Sequence, residues 1–398
     1  MQDAVIVSAV RTPVGRFGGA LRDVQAPELG AVAVREAVKR AQLEGGEIDE
    51  VIMGHVLVNG ETPNVARLSA LIAGLPVEVP AYTLDRQCSS GLQAIINAVM
   101  AIQTGNANIV VAGGVESESN AEYYVTGARW GLRMGSAEFK DRLKASGEMV
   151  SCPQRFGCIP GMMHTAENLI ERYQISRQEQ DEFALWSHQN AVAAINAGKF
   201  DEEMVPVEVP AARGERQTIS RDEHPRADTS LEKLARLPAL LGKTVTAGNS
   251  SGINDAAAAC VVMEAGEARR RGLEPMGRVV AWAAAGCPPD IMGIGPAPAV
   301  RKLLAKTKLT LRDVDLIELN EAFAGQALAV LKDLGVTDLS NVNVNGSGIS
   351  IGHPIGATGA RIMATLLHEM GRRQARYAIE TMCIGGGMGL AALVERPQ

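Results

Sequence analysis

Ile48-Asp49-Glu50-Val51-Ile52 follows one helix-like stretch of this chain, and Val314-Asp315-Leu316-Ile317 follows another. Asp49 lies 39 residues before Cys88, and Asp315 lies 38 residues before His353. Each endpoint precedes a glycine and a helix-like run. Each run then leads to an apolar strand ending in glycines, Val110-Val111-Ala112-Gly113-Gly114 in one case and Ala378-Ile379-Glu380-Thr381-Met382-Cys383-Ile384-Gly385 in the other. The same order at the same spacing is the mark of an internal duplication. The chain therefore reads as two copies of one α/β unit, with Cys88 and His353 at equivalent helix starts that face each other across a pseudo-dyad.

Outward from these repeats, short apolar runs alternate with helical stretches, as in a sheet covered by helices. Val5-Ile6-Val7, Val51-Ile52-Met53 and Asn108-Ile109-Val110-Val111-Ala112 read as strands, and Leu29 to Ala41 and Gly91 to Gln103 as helices. Between residues 120 and 250 the texture changes to mixed helix and loop signals. The Gly-rich style returns at Val245-Thr246-Ala247-Gly248-Asn249. The middle is thus an insertion into the duplicated unit.

The 398 residues are 46% hydrophobic, 21% charged and 4% aromatic, which suits a large α/β core and excludes a disordered or low-complexity chain. A net charge of −6 without a Lys/Arg block argues against nucleic acid or an anionic membrane as partner. No apolar run approaches the roughly 20 residues that span a bilayer. Met1-Gln2-Asp3-Ala4-Val5-Ile6-Val7 lacks the basic start and apolar stretch of a signal peptide. The six cysteines contain no C-x-x-C pair, and His164, His188 and His224 have no ligand spacing with them, so no metal site is expected. The expectation is a reduced, cytoplasmic protein.

Four segments can carry chemistry. Cys88 stands in Asp85-Arg86-Gln87-Cys88-Ser89-Ser90-Gly91, where unpaired N–H groups and the dipole of a following helix favour a thiolate, with Arg86 adding to the effect. Alone, such a cysteine is more often a small buried hydrophobe, so its partners decide the matter. His353 lies in Gly352-His353-Pro354, within a stretch holding five glycines between Gly346 and Gly359, a backbone able to turn sharply around a positioned imidazole. Cys383 precedes Gly385-Gly386-Gly387 at a strand end, where free N–H groups can hold a developing oxyanion. Asn320, in Leu319-Asn320-Glu321-Ala322-Phe323, offers a side-chain amide just past a strand. No G-x-G-x-x-G is present, which leaves a dinucleotide fold without its fingerprint.

Taken together, these segments resemble the thiolase family, and the likeness covers essentially the whole chain. Ser8-Ala9-Val10-Arg11-Thr12-Pro13, Ala112-Gly113-Gly114-Val115-Glu116-Ser117, Thr165-Ala166-Glu167-Asn168 and Thr246-Ala247-Gly248-Asn249 add to it in order. The resemblance implies two βαβαβαββ halves in a five-layer αβαβα core with an inserted loop domain. The corresponding boundaries are 1–119 with 252–271 for the first half, 120–251 for the loop domain and 272–398 for the second half. It implies ping-pong acyl transfer with acetyl-CoA, coenzyme A and 3-ketoacyl-CoA as substrates and no further cofactor. Cys88 would carry the acyl group, His353 would activate it, Asn320 would hold a water at one oxyanion site, and Cys383 would be the acid/base. The N–H groups of Cys88 and Gly385 would form the second oxyanion site. Arg226, Ala247 and Ser251 match coenzyme A contacts, Met162 lines the acyl tunnel and Phe323 closes the pocket. The resemblance also implies a homo-oligomer, dimer or tetramer.

Two readings of the substrate stay open. Gly161-Met162-Met163-His164 stands where many short-chain members read His-Met-Gly, and Gln87-Cys88-Ser89-Ser90 is closer to degradative 3-ketoacyl-CoA thiolases. Ala128-Arg129-Trp130-Gly131-Leu132-Arg133-Met134-Gly135 and Asn345-Gly346-Ser347-Gly348 instead resemble bacterial β-ketothiolases of storage-polymer metabolism. A ketoacyl synthase, which shares the fold, relies on Cys with two His or His and Asn, and Cys383 weighs against it. A non-catalytic relative would lose the nucleophile or the Gly-His-Pro loop, and both are present.

Overall fold

The computed structural model describes residues 2–149, 152–211 and 214–397; Met1 and Gln398, the outer ends of the expected halves, lie outside it. Ala4–Arg11, Asn254–Glu264, Ile109–Ser117, Glu50–Gly54 and Ala81–Leu84 hydrogen-bond in that spatial order to form the first sheet. Arg278–Gly286, Met388–Glu395, Tyr377–Ile384 and Leu316–Leu319 form the second. In both sheets the first two pairings are antiparallel and the third is parallel. The parallel fifth strand of the first sheet survives in the second as a single bridge between Ile317 and Val342. This is the duplication, visible in the ladder itself.

The two repeat aspartates do the same work in each half. Asp49 Oδ2 accepts from the amides of Asn108 (2.6 Å) and Ile109 (2.9 Å) at the start of one strand. Asp315 Oδ2 accepts from Arg376 (2.7 Å) and Tyr377 (3.0 Å) at the start of the matching strand. Each carboxylate thereby satisfies two amides that the ladder leaves unpaired.

The sheets are two of five layers. Ala26–Arg40 and Val65–Ala73 cover the outer face of the first sheet. Ser90–Gln103 and Thr358–Arg373 lie between the sheets, and their Leu92, Ile95, Ile96, Ile362, Met363 and Leu366 fill the central core. Pro296–Thr307 and Ala324–Leu334 cover the second sheet. A strand such as Asn254–Glu264, buried along nearly its whole length, reads Ala-Ala-Ala-Ala-Cys-Val-Val because both its faces meet other layers. In the inserted segment, Met162–Tyr173 and Arg177–Asn196 pack on the second half through Leu169, Ile170 and Phe183.

Three expectations need correction. The helix read from Leu29 to Ala41 runs Ala26–Arg40, beginning earlier because Gln25 and Glu28 form a capping box and Pro27 suits a first turn. Gly113 and Gly114 do not end their strand, which continues to Ser117. A Cβ on Gly114 would sit 2.1 Å from the carbonyl oxygen of Gly356, so this glycine makes room for the His353 loop against the sheet. Finally, the central helices meet at their first turns, where a Cβ on Gly91 would lie 2.7 Å from Ala360 N and one on Gly359 would lie 2.3 Å from Leu92 N. Measured from helix starts at Ser90 and Thr358, Cys88 stands two residues ahead and His353 five. The two are therefore not equivalent by the pseudo-dyad. The longer loop carries the imidazole further out from the helix.

Candidate active site

Cys88 sits on the tight elbow between Ala81–Leu84 and Ser90–Gln103. Gln87, just before it, has φ 48°, in the left-handed region that a residue with a side chain rarely adopts. The elbow is held by Gln87 N on Asp85 Oδ1 (2.6 Å), Arg86 N on Ser90 Oγ (2.8 Å) and Ser90 Oγ on the Gln87 carbonyl (2.7 Å). The amides of Gly385 and of Cys88 itself both donate toward the Cys88 sulfur. The Gly385 amide comes from the turn after Tyr377–Ile384, so the nucleophile of one half is met by a glycine of the other.

The electrostatics overturn one expectation. Burial pushes the Cys88 thiol up to about 11, and the carboxyls of Glu118 and Asp85 act in the same direction. The two amides pull it down by less, and the Arg86 charge expected to help is not among the groups that set it. Desolvation outweighs the helix start here. Cys383 is fully buried near the end of its strand, and its thiol is raised well above the ordinary range, first by burial and next by Cys88. Cys88 is thus within electrostatic reach of Cys383. Both are thiols at rest.

His353 stands on a loop that packs against the start of the Cys88 helix at Gly91 and is anchored almost entirely by the first half. Its amide donates to Asn254 Oδ1 (2.8 Å), Gly356 N to Glu116 Oε2 (2.8 Å), and Ile355 N to Glu118 Oε1 (3.2 Å). Gly352 has φ 120°, and a Cβ there would lie 2.7 Å from Asn254 Oδ1, so glycine is needed on both counts. Within the imidazole, Nδ1 lies 2.7 Å from Thr358 Oγ1, and the Thr358 hydroxyl has the Pro354 carbonyl at 2.9 Å to receive its proton. Thr358 then accepts from Nδ1–H, which leaves the Nε2 lone pair free. Burial first, and the Arg361 charge second, hold His353 down to about 3, so the ring is neutral.

Asn320 follows directly on Leu316–Leu319 and is fully buried; its Nδ2 lies 3.4 Å from His353 Nδ1, while Oδ1 has no protein partner. Phe323, buried, pairs with Ser250, and Ser251 N donates to the Ala322 carbonyl (2.9 Å), which ties the 246–251 turn to the Asn320 segment. Ala247 is exposed at that turn, and Met162 is the half-buried first residue of its helix. Arg226 is exposed and lines a cleft of 350 Å³ with Arg16, Phe17, His224 and Gly252. A second cleft, of 820 Å³, opens beside Phe200, Asp222 and Ala227, and neither cleft is lined by Cys88 or Cys383.

The structure thus joins Cys88 to the Gly385 amide and puts it within electrostatic reach of Cys383, and joins His353 to Asn320 and Thr358, with Phe323 and Ser251 one step behind Asn320. Met162 packs on the hydrophobic cluster that contains Cys383, while Arg226 and Ala247 are exposed. Four residues of this site were not singled out from the sequence. Thr358, Asn254, Glu116 and Glu118 act on the His353 loop from positions up to 240 residues away, as Glu116 does on Gly356. Only Thr358, one helical turn past the Gly-His-Pro, carried a local signal. Such a centre pairs a thiol and a neutral imidazole with a second thiol and amides aimed at the reacting atom, which is the equipment for acyl transfer coupled to proton abstraction.

Comparisons with known proteins agree with this chemistry. A family model described as the thiolase N-terminal domain matches residues 4–266, and one described as the thiolase C-terminal domain matches residues 273–396. An acetyl-CoA acetyltransferase of Pseudomonas aeruginosa is 48% identical over 398 residues, covering 100% of both chains. The crystal structure of the Bacillus anthracis acetyl-CoA acetyltransferase superposes with a TM-score of 0.96 at 48% identity, covering 100% of this chain and 99% of that one. Human mitochondrial 3-ketoacyl-CoA thiolase in complex with CoA superposes with a TM-score of 0.93 at 41% identity, covering 100% and 98%.

Proposed function

The chain belongs to the thiolase family, and from that premise we propose that it is an acetyl-CoA acetyltransferase, joining two acetyl-CoA molecules to acetoacetyl-CoA and coenzyme A and running the reverse thiolysis. What supports this reading is the pair of amides, Gly385 and Cys88, donating toward the Cys88 sulfur, the electrostatic reach of Cys88 to Cys383, and a neutral His353 on a loop that packs against the start of the Cys88 helix at Gly91.

In the first half-reaction His353 Nε2 takes the Cys88 proton as the sulfur attacks the thioester carbonyl. Coenzyme A leaves with the proton of Cys383, which is thereby left as the thiolate that acts next, and the acetyl group stays on Cys88. Because the thiol sits near 11 and the imidazole near 3, a free ion pair is disfavoured at neutral pH, so proton transfer accompanies attack. In the second half-reaction Cys383 removes a proton from the methyl carbon of a second acetyl-CoA. The enolate oxygen is held at His353 and a water on Asn320, whose unpartnered Oδ1 is free to accept from it. The carbanion attacks the acetyl-Cys88 carbonyl, whose oxyanion lies on the Cys88 and Gly385 amides, and collapse returns the Cys88 sulfur. Coenzyme A arrives as part of the substrate, so no further cofactor or metal takes part.

Residues 120–251 form the coenzyme A-binding loop domain between halves at 1–119 with 252–271 and at 272–398. Arg226, Ala247 and Ser251 receive the nucleotide end, while Met162 and Phe323 line the acyl end. A homo-oligomer, dimer or tetramer, accounts for Tyr123, Trp130, Leu132, Met134 and Phe139, all exposed on one segment. All six cysteines are free, which suits the reducing cytoplasm.

The second reading, a degradative 3-ketoacyl-CoA thiolase of fatty-acid oxidation, is favoured by the 41% identity to the human enzyme. Thiolysis with free coenzyme A separates the two. Activity confined to acetoacetyl-CoA and six-carbon substrates supports the first reading; rates rising toward eight- and twelve-carbon 3-ketoacyl-CoAs overturn it in favour of the second.

A further inference from the structure

We propose that Arg361 is a positioning residue for the catalytic loop, held in a buried polar cluster with Glu318 and Glu380 by ordered water rather than by direct contact with a carboxylate. Arg361 lies in the first turn of Thr358–Arg373 and is fully buried. Of its five N–H donors, the only side-chain bond among the described residues runs from Nη2 to the carbonyl of Gly352 (3.3 Å), the residue before His353. Nε and Nη1 have no protein partner. Arg11, buried in the same region, is paired directly: its guanidinium meets Asp222 at 2.8 and 3.0 Å and also bonds Glu203. A buried guanidinium without such a pair needs other acceptors.

The groups facing it are in the same condition. Glu318 and Glu380 stand opposite each other on adjacent parallel strands of the second sheet, both buried. Both oxygens of Glu380 and Oε2 of Glu318 lack a protein partner. The Arg361 charge acts on both Glu318 and Glu380, which stand opposite each other on the ladder, so these five atoms belong to one buried polar cluster. Buried polar atoms converging without protein partners are what ordered internal water satisfies.

Two consequences reach the reaction. One N–H of the guanidinium donates to the Gly352 carbonyl and so holds the backbone just before His353. Its charge, unneutralised by contact, acts on the imidazole; burial is the larger cause of the depressed basicity there and Arg361 the second. Other charged groups facing Arg361 are Arg11, Glu203 and Asp222, and those facing the His353 loop are Glu116 and Glu118.

The proposal rests on His353 serving as the base for Cys88. It is tested on the full chain with Arg361→Lys and Arg361→Met, read by the pH dependence of Cys88 alkylation with iodoacetamide, by kcat and KM for thiolysis, and by a high-resolution crystal structure of the unaltered chain. Arg361→Lys keeps the charge and loses the fork; kcat falls about 10-fold while the acid limb of alkylation stays in place. Arg361→Met lowers kcat at least as far and moves that limb upward by about one pH unit, with KM for coenzyme A unchanged within about two-fold. If Arg361→Met does not fold, the lysine variant decides alone, and an unchanged kcat in it overturns the proposal. So do equal limb positions in the two variants, or Arg361 in direct contact with Glu318 or Glu380 without water between. Absence of thiolysis in the unaltered chain sinks the proposed activity instead, and the substrate-free alkylation profiles then decide the role of Arg361.

Discussion

Thr358 Oγ1 lies 2.7 Å from His353 Nδ1 while its own proton has the Pro354 carbonyl to go to, so one hydroxyl sets which imidazole nitrogen is the base. Thr358→Val keeps the shape and removes the acceptor. We expect kcat for thiolysis to fall roughly 10- to 100-fold with little change in KM, and Thr358→Ser to restore most of it. Equal activity in the valine and serine variants would remove Thr358 from the tautomer argument.

Cys383→Ser replaces a thiol by a far weaker acid of similar size at a fully buried position. The acylated enzyme should still form, whereas condensation should drop by roughly 10²- to 10⁴-fold. Mass spectrometry and a condensation assay on the same sample separate the two steps. Normal condensation in this variant would assign the proton abstraction elsewhere.

Gly114→Ala places a methyl group 2.1 Å from the Gly356 carbonyl, a backbone atom that cannot swing aside. The His353 loop must shift, at a cost of about 1–3 kcal/mol and with a loss of activity larger than the loss of stability explains. Gly371→Ala, in a helix with nothing within 4 Å, is the control and should leave activity intact while adding up to about 1 kcal/mol. Thermal unfolding and thiolysis on both variants check this.

Glu318 is held up to about 8 by burial. The folded chain therefore keeps a proton that the unfolded chain releases above its ordinary carboxyl range. From about pH 4.5 to 8 the unfolded state binds fewer protons, and this group's contribution to stability falls as pH rises. Glu318→Gln mimics the protonated acid and abolishes that slope, so its stability relative to the unaltered chain should grow with pH by on the order of a few kcal/mol. Denaturant unfolding at pH 5 and pH 8 measures it; the same difference at both values would contradict the neutral acid.

Much of this was readable from the chain because duplication repeats its local signals. The Asp49 and Asp315 segments could be matched by eye, and the structure gives both aspartates the same two-amide task. Gly113-Gly114 misled because glycine usually closes a strand, whereas here a loop from the other half presses on the sheet. The thiolate expected at Cys88 failed for a related reason: a helix start is visible in sequence, but the burial that outweighs it is assembled from both halves. Asn254, Glu116 and Glu118 stayed hidden because each looks like an ordinary strand or turn residue until the fold brings His353 against them.

The central claim is that Cys88 carries the acyl group. Incubation with acetyl-CoA alone, followed by peptide mass spectrometry, tests it most directly. The account predicts a single acetyl group on the peptide containing Cys88, discharged on adding coenzyme A and absent in Cys88→Ala. An acetyl group that persists in Cys88→Ala, or that sits on Cys383 in the unaltered chain, would contradict it.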